Sequence, residues 1–310
     1  MSRIRLLSWT IVLAMAAASL ASDHADTPEL VAAERHDARI TDLFVFLRDE
    51  NLVLALCADP TIGPELREYR FPPDLTFEFF VDNDSAVSFD DPVDLEKFGG
   101  TVLEPEKISE DVFFRVTFTP DGEPELETNA RVGGGGGGCS LSAPRKDVKL
   151  FVGLRDDPFI RGPRIGRNVA CVVLEVPLAA VLEESPVLLV WATSKVEGLP
   201  GDFQDLAGRA MHSQNPETNL MNTLHPSRHR AELGEPPDVV IFDTSRPAGY
   251  PNGRELTDDV VDLVGDPRAL ATDDPYPDAN DVPFLGEFPY LAPPHEPAGH
   301  GARHLFQPGR

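Results

Sequence analysis

The chain has 310 residues, with 27 Lys and Arg against 52 Asp and Glu and a formal net charge of -25. Such a surface repels phosphate backbones and anionic lipid, which excludes nucleic acid and disfavours anionic membrane surfaces as partners. With 41% hydrophobic residues, 18 of them Phe, the chain has enough apolar material for one large core and is not a disordered polymer.

Residues 1–21 carry Arg3 and Arg5, an apolar run from Ile11 to Ala18, and Ser19-Leu20-Ala21 with small residues at both positions that a signal peptidase reads. This predicts an export signal and a periplasmic or extracellular protein. The run is too short to span a bilayer, and no later stretch reaches the roughly 18 apolar residues that a membrane helix needs. Cleavage after Ala21 leaves 25 basic and 52 acidic residues, a net charge of -27. Of the three cysteines, Cys57 and Cys171 sit in apolar runs and are expected to be buried small hydrophobes, while Cys139, after six glycines, is expected to be accessible. Their spacing matches no zinc motif, although an oxidising compartment would permit one disulfide.

The mature chain, 22–296, reads as a single β-rich domain. Short runs rich in Val, Phe and Leu, separated by Pro, Gly and Asp, predict strands at 42–47, 51–57, 75–82, 112–119, 125–132, 147–153, 168–176, 187–194 and 238–243. In the third, Phe77, Phe79 and Val81 alternate with Thr76, Glu78 and Phe80, so one face should be buried and the other wetter. A short helix is expected at 177–182 behind Pro177, and another over 256–264 with Thr257 as its cap. The 133–138 glycine run reads as an insertion, the sequence beyond 244 as a segment wrapped on the core, and 297–310 as a disordered tail. The fold class expected is mainly β: an antiparallel β-sandwich with a few short helices and long Pro/Gly-rich loops.

Candidate chemistry resides in Asp and His. His24 and Asp26, with Asp23, follow the cleavage site, where imidazole, carboxylate and a freed amine are all metal donors. Asp-rich clusters recur at 82–84 with 90–91, at 156–157, at 258–262 and at 273–281, and their oxygens suit calcium, although the EF-hand pattern is absent. Asp258 and Asp259 are equally explained as charges at a helix N-terminus, with Arg254 as a partner. The stretch 209–230 gathers Arg209, His212, His225, Arg228, His229 and Arg230, either an anion site or partners for nearby carboxylates. Trp191 is expected in the core, and Tyr69, Tyr250, Tyr276 and Tyr290 are the aromatic surfaces on which a glycan could stack. No nucleophile with a base, no phosphate loop and no cofactor motif is present.

The strings Ser22-Asp23-His24-Ala25-Asp26-Thr27-Pro28, Ile40-Thr41-Asp42-Leu43-Phe44, Arg155-Asp156-Asp157-Pro158-Phe159, Gly166-Arg167-Asn168-Val169, Pro251-Asn252-Gly253-Arg254 and Phe288-Pro289-Tyr290-Leu291-Ala292-Pro293-Pro294-His295 together resemble an exported bacterial family known as domain of unknown function 4331. The resemblance spans nearly the whole mature chain but implies no activity. It draws attention to polar strings in loops, where a rigid scaffold usually places binding residues. The candidate metal ligands are accordingly His24, Asp26, Asp42, Asp156, Asp157, Asp258 and His295, with calcium or another divalent cation as the ion. The expected function is a binding or structural protein of the envelope or extracellular space, its small-molecule, glycan or protein ligand undefined. The alternative is a metal-dependent hydrolase or oxidoreductase that uses the Asp/His cluster to activate water.

Overall fold

The computed structural model describes Asp23 and residues 25–132, 139–141, 147–160, 166–213, 219–264 and 278–296, with backbone alone at 139–141 and 219. The expected signal segment, His24, the glycine run, Tyr276 and the expected tail lie outside the described residues. In chain order the elements are α1 (Pro28–Ala32), β1 (Ile40–Arg48), β2 (Asn51–Ala58), β3 (Leu75–Asp82), β4 (Val87–Ser88), α2 (Pro92–Phe98), β5 (Thr101–Val102), β6 (Val112–Phe118) and β7 (Pro124–Thr128). There follow β8 (Cys139–Leu141), β9 (Lys149–Asp156), β10 (Asn168–Pro177), β11 (Val187–Val196), β12 (Asp205–Ala207), α3 (Pro226–Leu233), β13 (Val240–Asp243) and α4 (Val260–Val264). All strand pairs are antiparallel. One sheet has the order β1-β2-β10-β9; the larger runs β12-β11-β3-β6-β7-β8, with β13 also on β11; β4 and β5 form a small ribbon. The chain is mainly β, consistent with a β-sandwich.

Alternation decides what each sheet presents. In β3, Leu75, Phe77, Phe79 and Val81 are fully buried while the residues between them are partly wet, and β6 repeats the pattern with Phe114, Val116 and Phe118. These side chains meet Leu43, Val45, Leu54, Leu56, Val172 and Leu174 of the smaller sheet in the sandwich interior. The strands β1, β2, β10 and β11 are buried on both faces, which is why they read as unbroken apolar runs. On the outer face of the smaller sheet, Phe44, Phe46, Val53, Val169 and Val173 are covered by Leu256, Tyr290 and Leu291. On the outer face of the larger sheet, Leu189 and Trp191 pack with Leu206, Val239 and Ile241. The segment beyond 244 thus acts as a layer of the core, each buried apolar side chain contributing roughly 1.5–3 kcal/mol.

Several expectations change in detail. The strand predicted at 125–132 stops at Thr128, because Asn129 turns its amide onto Phe113 N (2.8 Å) and Asp111 O (2.8 Å) in place of a ladder. The strand predicted at 147–153 runs Lys149–Asp156, so Asp156 is a strand residue, not a loop residue. The helix expected at 177–182 is a single 3-10 turn at Leu178–Ala180, and the one expected over 256–264 is reduced to Val260–Val264. Helix α2 was not among the expected elements: Asp91 accepts from Val93 N and Asp94 N, Pro92 starts the helix, and Gly99 ends it at φ 79°. Gly99 is also required sterically, since a Cβ there would lie 2.5 Å from the Pro251 carbonyl oxygen.

Cys57 and Cys171 are both buried, as expected. They face each other across β2 and β10 with the sulfurs 3.2 Å apart as thiols. Trp191 is fully buried beside Phe80, which removes it as a glycan platform, and Tyr290 is only 7% exposed. Among the described residues no helix is long and apolar enough to cross a membrane.

Candidate metal centre

The last residue of β9, Asp156, stands directly opposite the first residue of β10, Asn168. Asn168 holds the C-terminal segment at this point: its Oδ1 accepts from His295 N (2.8 Å) and its Nδ2 donates to His295 O (3.4 Å). A second tie runs from Asp156 N to Ala292 O (3.2 Å). The segment therefore delivers two side chains to the Asp156 carboxylate. His295 Nε2 lies 2.6 Å from Asp156 Oδ1 and 3.3 Å from Asp281 Oδ2. Asn280 Nδ2 donates to Asp156 Oδ2 at 2.6 Å, and Gly166 N to Asp281 Oδ2 at 3.0 Å.

Three donor atoms, one each from Asp156, Asp281 and His295, lie within 4.8 Å of one another. Asp156 is 1% exposed, and its Oδ1 and the imidazole Nε2, both shielded from solvent, form no hydrogen bond despite their closeness. The two atoms are within ion-pair distance but are not aligned for a hydrogen bond. A buried carboxylate oxygen without an aligned hydrogen-bond donor is costly. Burial, with the charges of Asp281 and Asp157, pushes the Asp156 carboxyl up to about 8, outweighing the Asn280 hydrogen bond. A cation would relieve that penalty, and imidazole with two carboxylates is a donor set for divalent ions bound at about 2.0–2.2 Å.

The other sequence candidates are placed elsewhere. Asp26 is held by Arg39, with Nε to Oδ1 at 3.0 Å. Asp42 pairs with Arg254, which is also bonded to Asp23. Asp157 caps its own turn by accepting from Phe159 N (3.2 Å), and Asp258 Oδ2 accepts from Tyr250 N and Glu255 N, both at 2.8 Å. These four bind the chain to itself, the role foreseen as the alternative. Of the seven candidates the structure joins Asp156 and His295 and adds Asp281. Asp281 and Asn280 belonged to the acidic run at 273–281, but nothing in that run marks one aspartate over the next.

Two further acidic groups lie away from this junction. In Asp82, Asp84 and Asp111 the Asp82 oxygens accept from Ser85 N (2.9 Å), Ser85 Oγ (2.7 Å) and Ser109 N (3.1 Å). Asp259 of the group with Asp262 and Asp278 accepts from Asp262 N in the first turn of α4.

The 209–230 stretch pairs mostly with carboxylates and carbonyls. His225 meets Glu110 at 3.1 Å and Arg228 meets Glu232 at 2.6 Å. His229, fully buried, donates from Nε2 to Leu224 O (2.9 Å) and Met221 O (3.1 Å) and accepts at Nδ1 from Asp238 N (3.0 Å). Burial therefore holds His229 below the ordinary histidine range, as it does His212 with the help of Arg209. Burial alone would raise Asp238, but the His212 hydrogen bond and the charges of His212, Arg209 and His229 hold it at about 2.

A neutral native histidine that protonates when unfolded stabilises the fold above the unfolded pKa of about 6.5 and loses that contribution as pH falls. Asp156 has the opposite sign across pH 4–8, so a comparison of variants isolates the effect. The destabilisation caused by His229→Gln in urea should shrink from pH 7 to pH 5, by up to about 1.4 kcal/mol per pH unit. An equal penalty at both pH values would show that His229 is not held neutral.

Comparison with protein-family models, curated proteins and solved structures finds no match to this chain. The family resemblance rests on the sequence strings alone.

Proposed function

We propose that this protein is an exported β-sandwich that binds one divalent cation where β9, β10 and the C-terminal segment meet, and that it serves as a binding or structural protein outside the cytoplasm. The observation that carries the reading is the Asp156 Oδ1 atom, buried without a hydrogen bond and facing His295 and Asp281. The imidazole weighs against calcium, which prefers six to eight oxygens, and favours a zinc- or manganese-like ion. The cation would join the strand pair to the segment that covers the smaller sheet, so its binding energy would add to folding stability. The export signal supports an extracellular or periplasmic setting.

A second reading, metal-assisted hydrolysis, is favoured by the 20% and 22% exposure of the His295 and Asp281 side chains, which leaves the ion's outer positions toward solvent. Elemental analysis and melting of the purified mature protein test the proposal. About one equivalent of metal is expected; Asp156→Asn should lose it, and chelator should lower the melting temperature. At metal concentrations near 100 times the Kd, the linked stabilisation is about 2.7 kcal/mol. Absence of metal together with a melt indifferent to chelator, zinc, manganese and calcium would remove the site. Full recovery by calcium alone would overturn the preference for a nitrogen-accepting ion.

A further inference from the structure

Among the described residues, the buried arginines Arg254 and Arg39 have acidic partners. Arg254 is gripped by Asp23 and Asp42, and Arg39 by Asp26. Arg209, only 6% exposed, has no carboxylate oxygen within 4.0 Å among the described residues, in a chain of net charge -25. Its Nη2 reaches Pro237 O at 3.2 Å and lies 2.7 Å from His212 Nδ1. The guanidinium plane rests 4.2 Å from the centre of the Phe98 ring. Asp238, the nearest acid, is engaged with the Arg209 backbone N–H (2.9 Å) and with His212 (3.1 Å). Burial lowers the Arg209 pKa against the raising influence of Asp238 and the other acids nearby.

The guanidinium lines a cavity of about 400 Å³ between the end of α2, β5 and the Pro236-Pro237 turn. Phe98, Val102, Leu103 and Ile241 supply apolar wall, and Arg230 stands exposed at the edge with no acidic partner among the described residues. Asp94 and Glu106 also line it, and Asp94 accepts from Thr101 Oγ1 at 2.5 Å. Two positive and two negative side chains disfavour a multiply charged guest, while the buried guanidinium, with its nearest acid Asp238 bound to the Arg209 backbone N–H and to His212, is suited to one carboxylate. An apolar wall combined with convergent polar groups is a usual form of a small-molecule site.

We propose that this cavity binds a small monocarboxylate with an apolar body, its carboxylate on Arg209 and Arg230 and its body against Phe98, Val102 and Ile241. The site is separate from the metal centre and does not depend on it.

Titration calorimetry on the full mature protein with benzoate, phenylacetate and hexanoate tests the proposal, with benzamide and inorganic phosphate as controls. At least one carboxylate should bind, and benzamide should bind at least about tenfold more weakly than benzoate, the ratio expected for one lost charge-assisted hydrogen bond. Arg209→Lys should weaken carboxylate binding about tenfold or more, because the ammonium cannot reproduce the planar fork. Since Arg209 is buried and that variant could misfold, Arg230→Gln and Leu103→Trp, both at exposed positions, provide the second readout. The first should weaken carboxylates alone, and the second should block all guests. Failure of every carboxylate to bind, equal binding of benzamide, tighter binding of phosphate, or carboxylate affinity unchanged in both Arg230→Gln and Leu103→Trp would overturn the proposal.

Discussion

Arg254→Leu should destabilise the fold by about 3–5 kcal/mol, because it leaves two buried carboxylates without their cation. Asp23 and Asp42 are 3% and 0% exposed, and Arg254 is 2% exposed. The guanidinium bonds to both and lies 4.1 Å from the centre of the Phe44 ring, while the Arg254 backbone bridges to Val45. One side chain thus joins the segment after the expected cleavage site, strand β1 and the loop before α4. Removing the whole charge set should be far milder, since well-packed apolar or neutral groups replace buried ion pairs at little cost. Urea denaturation of Arg254→Leu, alone and combined with Asp23→Asn and Asp42→Asn, measures this. If the single variant loses under about 1 kcal/mol, or the triple variant recovers nothing, the triad is not what holds these segments together.

Tyr290 should show a graded series. Its ring covers the outer face of the smaller sheet, edge-on to Phe46 with centroids 6.0 Å apart, and its hydroxyl donates to Glu175 Oε2 at 2.6 Å. Tyr290→Phe removes only that bond. Glu175, 5% exposed, keeps Lys149 on Oε1 (2.7 Å), so the expected loss is about 1–2 kcal/mol. Tyr290→Ala also opens a cavity above Phe46 and should cost about 3–5 kcal/mol. Because the same segment carries His295, Tyr290→Ala should also weaken metal binding, whereas Tyr290→Phe should not. Thermal melts with and without chelator read both effects. Equal stability of the two variants would mean that the segment is held by its hydrogen bonds and not by packing.

The resemblance strings mark these same places, but as text they do not separate a ligand from a brace. Asp42 and Asp156 look alike in sequence: each is an aspartate beside an apolar run. The difference is which side chain arrives from afar. Arginine from residue 254 donates to Asp42 Oδ1 at 2.9 Å; histidine from residue 295 reaches Asp156 without hydrogen-bond alignment. Arg209 is a similar case, since the lack of a carboxylate within 4.0 Å of its guanidinium among the described residues is a fact about its neighbours in space.

Composition and pattern alone determined the mainly β class, the buried Cys57, Cys171 and Trp191, and most strand positions, because period-two alternation and turn residues act over a few neighbours. The strands buried on both faces were visible as apolar runs, but not what covers them, since that covering comes from separate segments of the chain, as Tyr290 covers Phe46. Tertiary structure decided the pairing order, the C-terminal layer and the choice of Asp156, Asp281 and His295 from among 52 acids and eight histidines. The physical reason is one of range. Secondary structure follows local sterics and solvation, whereas a cation site or a stranded arginine is defined by which charges meet when distant segments pack.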